Sequence, residues 1–382
     1  MSKKAIVGSV LAAFVVIVGG VAAYNNFGIG STYVDVNRGA GRLEERDERP
    51  AGAPTVLAKN LYVPWAVAFL LDGSMLVTER SGTLKLIKGE SVESIKIPGV
   101  VERGEGGLLD VIVHPDFAQN KFIYLYFTTS DSGQTVNKVV RYTFGGADLG
   151  SFKEDKVILG NIPGGTNHNG GRAAFGPDGM LYVLTGDAGR SELAQDRASL
   201  AGKILRINYD GSIPSDNPFG TAVYSYGHRN PQGLAWDDKG RLWQTDHGRS
   251  GLQSGFDELN LIEKGGNYGW PVIQGDEKKE GMKAPMIHSG ANTTWAPSGL
   301  SYMDGALYFA GLRGQALYKV DILEGDDGSA TFSDLVTYFK GTYGRLREVT
   351  NAPDGSLVIT TSNRDGRGSV QAEDDKILKW MK

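Results

Sequence analysis

From about residue 55 onward, the apolar positions recur in one short pattern: a few apolar residues, a turn with Asp and usually Gly, then a strongly β-prone run. The copies are Ala66–Thr78, Leu108–Phe127, Ala173–Thr185, Gly233–Thr245, Gly299–Ala310 and Glu348–Thr361. In the third, AAFGPDGMLYVLT, Pro-Asp-Gly supplies the turn and the flanks alternate at strand period, which predicts a hairpin. Further β-prone runs, such as Thr83–Ile87 and Lys203–Asn208, fall between the copies. No stretch carries the 3.6-residue period of a long amphipathic helix. The turn aspartates stand at 72, 116, 178, 238, 304 and 354, at intervals of 44, 62, 60, 66 and 50 residues. Each interval holds one four-stranded sheet plus loops. Six units predict an all-β chain folded as a six-bladed β-propeller. A string of β-sandwiches would need interdomain linkers, and none is visible.

The N-terminus breaks this pattern. Lys3 and Lys4 precede an uncharged stretch from Ala5 to Ala23. Its length suits a membrane-spanning helix with the lysines inside. A secretory signal peptide starts the same way, though with a shorter apolar core, and Val21-Ala22-Ala23 could serve as its cleavage site. We read residues 1–24 as a membrane anchor or signal helix, favouring the anchor. Both readings place the rest outside the cytoplasm, periplasmic or at the cell surface. Residues 25–54, with the charged run from Arg42 to Arg49, read as a solvated polar linker. The propeller domain is then 55–382.

Composition narrows the chemistry. The 54 glycines match the many tight turns of a propeller. With no Cys there are no disulfides, thiolate metal sites or cysteine nucleophile. A net charge of −4 gives no electrostatic footprint for nucleic acid. Five scattered His make a zinc site improbable, and nucleophile-elbow, P-loop and dinucleotide patterns are absent from the sequence.

A propeller binds ligands at one end of its channel, so polar clusters in long loops are the candidates. In Thr166-Asn167-His168-Asn169-Gly170-Gly171, His168 reads as a general base or as a loop histidine capping backbone groups. In Tyr226–Gly233, Arg229 offers a planar fork for a carboxylate or quinone oxygen, and Asn230 adds an amide. Arg345 and Arg347 sit two apart and face one way in a strand, as a solvated surface or an anion clamp that Arg313 could join. Asp257-Glu258, followed by the glycine-rich 265–271 loop, suits a hard cation such as calcium, on weak spacing evidence.

In this order, the motifs resemble the soluble pyrroloquinoline-quinone (PQQ)-dependent glucose/aldose sugar dehydrogenases, in their smaller aldose dehydrogenase branch. The carrying stretches are Val63–Phe69, Gly104–Val111 with His114–Phe117, Asn167–Asp187, Leu200–Asn208, Tyr226–Leu234, Asp257–Ile262, Asn267–Pro271 and Arg345–Val349. They span nearly all of 55–382.

The resemblance implies an oxidoreductase that converts aldoses to lactones at C1, with PQQ and Ca2+ as cofactors. His168 matches the family's general base. Arg229 and Asn230 match residues beside the quinone oxygens, and Arg345 and Arg347 the arginines on the PQQ carboxylates. Arg313 stands where the family tends to have Lys, Glu105 where it often has Gln, and Asn167 where glucose-specific members have Asp. Trp295 falls where an aromatic lines the sugar mouth. Calcium would bind through the carbonyls of Gly248 and Arg249, and a second site through Glu258 and the Tyr268 carbonyl. Electrons would pass to an external quinone or cytochrome. The competing readings are a calcium-dependent propeller lactonase, which would want carboxylates and amides rather than arginines at the mouth, and a non-catalytic propeller binding carbohydrate or protein.

Overall fold

The computed structural model describes residues 34–38, 41–50, 52–251 and 254–382. The anchor or signal helix read over 1–24 lies outside them. Among the described residues no helix is long and apolar enough to cross a membrane.

Six antiparallel sheets succeed one another around a central channel. Blade 1 is Pro64–Phe69, Met75–Glu79, Thr83–Lys88 and Ser91–Lys96, and blade 2 is Leu108–Val113, Phe122–Asp131, Gln134–Thr143 and Lys153–Pro163. Blade 3 is Ala173–Phe175, Leu181–Thr185, Lys203–Ile207 and Val223–Tyr226. Blade 4 is Pro231–Trp236, Leu242–Asp246, Glu258–Ile262 and Ile287–His288. Blade 5 is Pro297–Met303, Ala306–Gly311, Ala316–Glu324 and Leu335–Tyr338. Blade 6 is Leu346–Asn351, Leu357–Thr361 and Ile377–Trp380, completed by Thr55–Ala58 from the start of the domain, with Ile377 opposite Ala58. That strand closes the ring by joining its two ends. Core side chains such as Trp65, Tyr126 and Leu125 fill the space between neighbouring blades.

The expected turns form in five blades, whereas in blade 2 Asp116 stands at the start of the short helix Phe117–Asn120. Asp304 and Gly305 both have positive φ (50° and 78°) between paired strands, the left-handed pair a tight two-residue hairpin requires. In blades 1, 3 and 6 the turn aspartate accepts a backbone N–H two residues on, as Asp72 does from Ser74 at 3.0 Å. In blade 4 the accepting oxygen belongs to Asp237, one residue earlier than expected.

The polar linker read over 25–54 is in part structure. Val34–Arg38 and Gly41–Asp47 form a hairpin between two blades. Its first strand pairs antiparallel with Ile287–His288 of blade 4, and its second runs parallel to Leu335–Tyr338 of blade 5. Burial alternates along the second strand: Leu43 and Glu45 are inward, Glu44 and Arg46 outward. Leu43 packs into the core of blades 4 and 5, and Lys340 meets the Glu45 carboxylate at 2.9 Å. The inward face is one Leu and one paired Glu, so the hydropathy pattern does not reveal it.

Candidate active site

In every blade the first strand leaves one end of the channel and the second returns to it, so the loops before first strands and after second strands gather at that end. They enclose a cavity of about 560 Å³ whose lining includes Glu105, Asn167, His168, Arg229, Asn230 and His247. Gly248, Arg249, Arg313, Arg345 and Arg367 line it as well. A smaller chamber of about 180 Å³ shares Glu105, His247 and Arg367 with it and adds Arg80, Gln232, Arg347 and Asp365.

His168 is held in a left-handed backbone conformation (φ +56°) by its surroundings. Buried Asn169 bonds both backbone groups of Gly165, and Asn137 donates to its side chain. The His168 N–H donates to Glu105 Oε2 at 3.0 Å. A Cβ on Gly186 would lie 2.0 Å from the His168 carbonyl oxygen, so only glycine allows the next residue, Asp187, beneath the ring. His168 Nδ1 donates to Asp187 Oδ1 at 2.7 Å. Asp187 is fully buried and also accepts from Gly189 N–H at 2.7 Å and Trp270 Nε1 at 2.8 Å. With Nδ1 committed as donor, Nε2 is the acceptor nitrogen, on a ring that lines the cavity.

Arg229 and Asn230 are fixed through their main chain: both N–H groups donate to buried Asp246, at 3.1 and 2.7 Å. The Asn230 side-chain oxygen accepts Gly170 N–H at 3.0 Å. Arg229 donates to Ser250 Oγ at 2.9 Å while its buried Nε has no partner, and burial lowers its pKa. Arg345 Nε donates to Asp365 at 2.8 Å, and Arg347 approaches the same carboxylate at 3.9 Å, so the two do face one way. Burial pushes Arg347 down to about 9. Arg313, by contrast, is exposed at the mouth.

Burial by itself would raise Glu105, but hydrogen bonds from the His168 N–H and from Arg367 (2.7 Å) outweigh it and hold the carboxyl at about 2. Burial pushes His247 down to about 3, leaving a neutral ring whose buried Nε2 has no partner.

One expected position differs. Trp295 does not line the cavity: it is fully buried against Phe309 and Tyr318 in the core of blade 5, and only its neighbours Thr294 and Ala296 reach the wall. Glu258 and Tyr268 lie behind the wall. The Tyr268 ring stacks on His228 at 4.8 Å, and its hydroxyl donates to Leu261 O. Glu258, raised to about 8 by burial and by the charge of Asp246, accepts from Asn260, whose own buried side-chain oxygen has no donor. A carboxyl beside a second buried carboxylate and an orphaned amide oxygen fits a hard cation. In the wall itself, the Arg249 carbonyl already accepts Gly255 N–H at 3.2 Å, whereas the Gly248 carbonyl accepts nothing from the described residues. Asp257, whose carboxylate takes N–H groups of Gly248, Trp295 and Ala296 and the Thr294 hydroxyl, is spent on bracing these loops.

Sequence reasoning assigned no role to Asp187, Asp365, His247 or Arg367. Asp187 had a signal, an Asp in the Gly-Asp-Ala-Gly stretch that follows the β-run Leu181–Thr185; the others lie in loops whose partners are far apart in the chain.

Fold and site define a class: a six-bladed propeller with a histidine–aspartate pair facing an arginine-lined cavity at one end of its channel. The glucose/sorbosone dehydrogenase family matches over residues 61–372, and the chain belongs to that family. It is 32% identical over 343 residues to aldose sugar dehydrogenase YliI of Escherichia coli, covering 81% of this chain and 90% of that protein. Among solved structures, a Thermus thermophilus putative oxidoreductase (glucose dehydrogenase) is 45% identical with a TM-score of 0.81, over 86% of this chain and 99% of its own. The PQQ-bound aldose sugar dehydrogenase of Streptomyces coelicolor is 40% identical with a TM-score of 0.78, over 86% and 96%.

Proposed function

We propose that this protein is a PQQ-dependent aldose dehydrogenase that oxidises the C1 hydroxyl of an aldose to a lactone and hands the electrons to an external quinone or cytochrome. The observation that carries this reading is His168, at the wall of an arginine-lined cavity and bonded from behind by Asp187. The cavity has the size of a cofactor site. PQQ bears three carboxylates, and the buried guanidinium groups of Arg345, Arg347 and Arg229, the last with an unpartnered Nε, are the groups that would hold them. When bound, PQQ would supply the hydride acceptor, and calcium, which the Gly248 carbonyl would help to hold, would supply a Lewis acid.

The chain's own residues do the rest. His168 Nε2 takes the proton of the C1 hydroxyl as that C–H bond breaks, and Asp187 stabilises the imidazolium that results. Asn230 and Asn167 line the wall as hydrogen-bonding groups for ligand oxygens. Metal-activated lactone hydrolysis needs carboxylates free to hold a cation, whereas the two in this wall are engaged, Glu105 by Arg367 and the His168 N–H and Asp257 by the loops it braces. The apolar N-terminal stretch favours an extracytoplasmic, membrane-anchored enzyme close to a membrane acceptor.

The test is reconstitution of the full chain with PQQ and Ca2+. We expect aldose-dependent dye reduction that requires PQQ, and a fall of about 10²–10⁴-fold in kcat for His168→Ala with PQQ binding retained. Absence of both PQQ binding and turnover across a broad sugar panel would overturn the reading.

A further inference from the structure

The ring of His168 is aimed by Asp187, but the backbone that carries it is held from across the channel. A residue other than glycine keeps a positive φ, here +56°, only where its neighbours enforce it. The His168 N–H donates to Glu105 Oε2 at 3.0 Å, and the Glu105 N–H in turn donates to Thr166 O at 2.8 Å. Gly104 lets these two loops come so close, since a Cβ there would lie 2.1 Å from the Thr166 carbonyl oxygen. Glu105 Oε1 takes Nη1 of Arg367 at 2.7 Å, from a residue 262 positions away on the loop that follows the second strand of blade 6. Both oxygens of Glu105 are engaged within the protein.

Arg367 is itself aimed. Its backbone N–H donates to Asp365 Oδ1 at 2.9 Å, across Gly366 at φ +88°. The other oxygen of this buried carboxylate takes Arg345 Nε at 2.8 Å and faces Arg347 at 3.9 Å. One carboxylate therefore fixes both the arginines assigned to the cofactor and the start of a chain of bonds that ends at the His168 N–H. Arg347, Asp365, Gly366, Arg367 and Glu105 follow one another along the chamber of about 180 Å³.

We infer that Asp365, Arg367 and Glu105 are positioning residues: they set the His168 backbone from the same carboxylate that sets the cofactor arginines, so that base and cofactor seat keep one relative geometry. This rests on the dehydrogenase reading above. A base must stand within hydrogen-bond reach of its proton while C1 faces the hydride acceptor, and a displacement of about 1 Å costs on the order of 10²-fold in rate. Charge-assisted bonds such as Arg367–Glu105 are short and strong enough to hold a loop to that tolerance.

The test is Arg367→Ala, at a side chain exposed enough (58%) for its loss to leave the fold intact, with Arg367→Lys and Glu105→Gln beside it. Arg367 meets Glu105 through one nitrogen, so a lysine can take its place. In the cofactor-free protein we expect the His168 amide proton of Arg367→Ala to shift upfield and exchange about tenfold faster than in the wild type, and Arg367→Lys to restore both. With PQQ and Ca2+, kcat should fall about tenfold or more for Arg367→Ala and Glu105→Gln, while the PQQ dissociation constant and the sugar KM stay within about twofold. The double variant should be no worse than the poorer single one, because both break the same pair. Asp365→Asn should move the same amide resonance and weaken PQQ binding as well. An unmoved His168 amide in Arg367→Ala, or a kcat loss that Arg367→Lys does not recover, overturns this inference and leaves the dehydrogenase reading standing. No turnover of any sugar by the PQQ-loaded wild type overturns both.

Discussion

Asp187 does for His168 what no neighbour in sequence could. Buried and bonded to three donors, it holds the ring with Nδ1 protonated. Asp187→Asn keeps the shape but loses the charge that favours this tautomer and the imidazolium. We expect kcat to fall by about 10²–10⁴-fold with PQQ titration unchanged, because Asp187 is not in the cavity wall. Glu105 makes a pH-dependent contribution. Its folded pKa of about 2 lies below the ordinary 4.5, so the stabilisation is present above pH 4.5 and is lost as pH falls toward 2. The shift corresponds to at most about 3 kcal/mol, less after screening of its partly exposed partner Arg367. Melting temperatures between pH 2.5 and 6 should converge for wild type and Glu105→Gln at the acid end. At this scale the sequence was legible where a residue's chemistry dictates its setting, as with His168 and the Arg345–Arg347 pair. It was not legible at Trp295, whose ring direction is set by Asp257, 38 residues away, gripping the backbone N–H groups of Trp295 and Ala296.

Elements show the same division. Asp-Gly turns announce their hairpins because few residues accept positive φ, and runs such as Lys203–Ile207 appear where β-propensity placed them. The long 186–202 loop carries no period, yet it is built around one side chain. Lys203 Nζ donates to the carbonyls of Leu193, Ala194 and Ala201 at 2.7, 3.0 and 2.6 Å, and Gly202 N–H donates to Gly186 O at 2.9 Å, next to Asp187. A lysine inside a strand reads as a solvent-facing residue, and only the folded loop shows three acceptors around it. Lys203→Met leaves those carbonyls without a donor, at a cost of about 1–3 kcal/mol. The urea midpoint should fall with the slope unchanged. Since the loop carries Asp187, kcat should fall as well, which a substitution on an outer blade face would not cause.

At the scale of the whole molecule, ring closure and the N-terminal hairpin are separable. The Thermus relative's structure matches 99% of its own chain and 86% of this one, the share that residues 55–382 make up of the sequence. The hairpin adds a brace across blades 4 and 5, whose loops supply Gly248, Arg249 and Arg313 to the cavity wall. A chain starting at residue 52 keeps Thr55–Ala58 and its pairing with Ile377–Lys379, so it should fold and turn over substrate. It uncovers the outer strands of blades 4 and 5, however, and unprotected edges invite pairing between copies. We expect a lower melting temperature and self-association on size exclusion, and Leu43→Ala in the full chain should reproduce the destabilisation, at about 2–4 kcal/mol. A chain starting at residue 60 loses the closing strand with Leu57 and Ala58 of the blade 1–blade 6 core, and it should not yield a cooperative melt. If the two truncations behaved alike, closure by Thr55–Ala58 would not be what holds the ring. If the first melted like the full chain, the hairpin would add no stability, and the buried Leu43 and the Glu45–Lys340 pair would have to be offset by the cost of ordering residues 34–47.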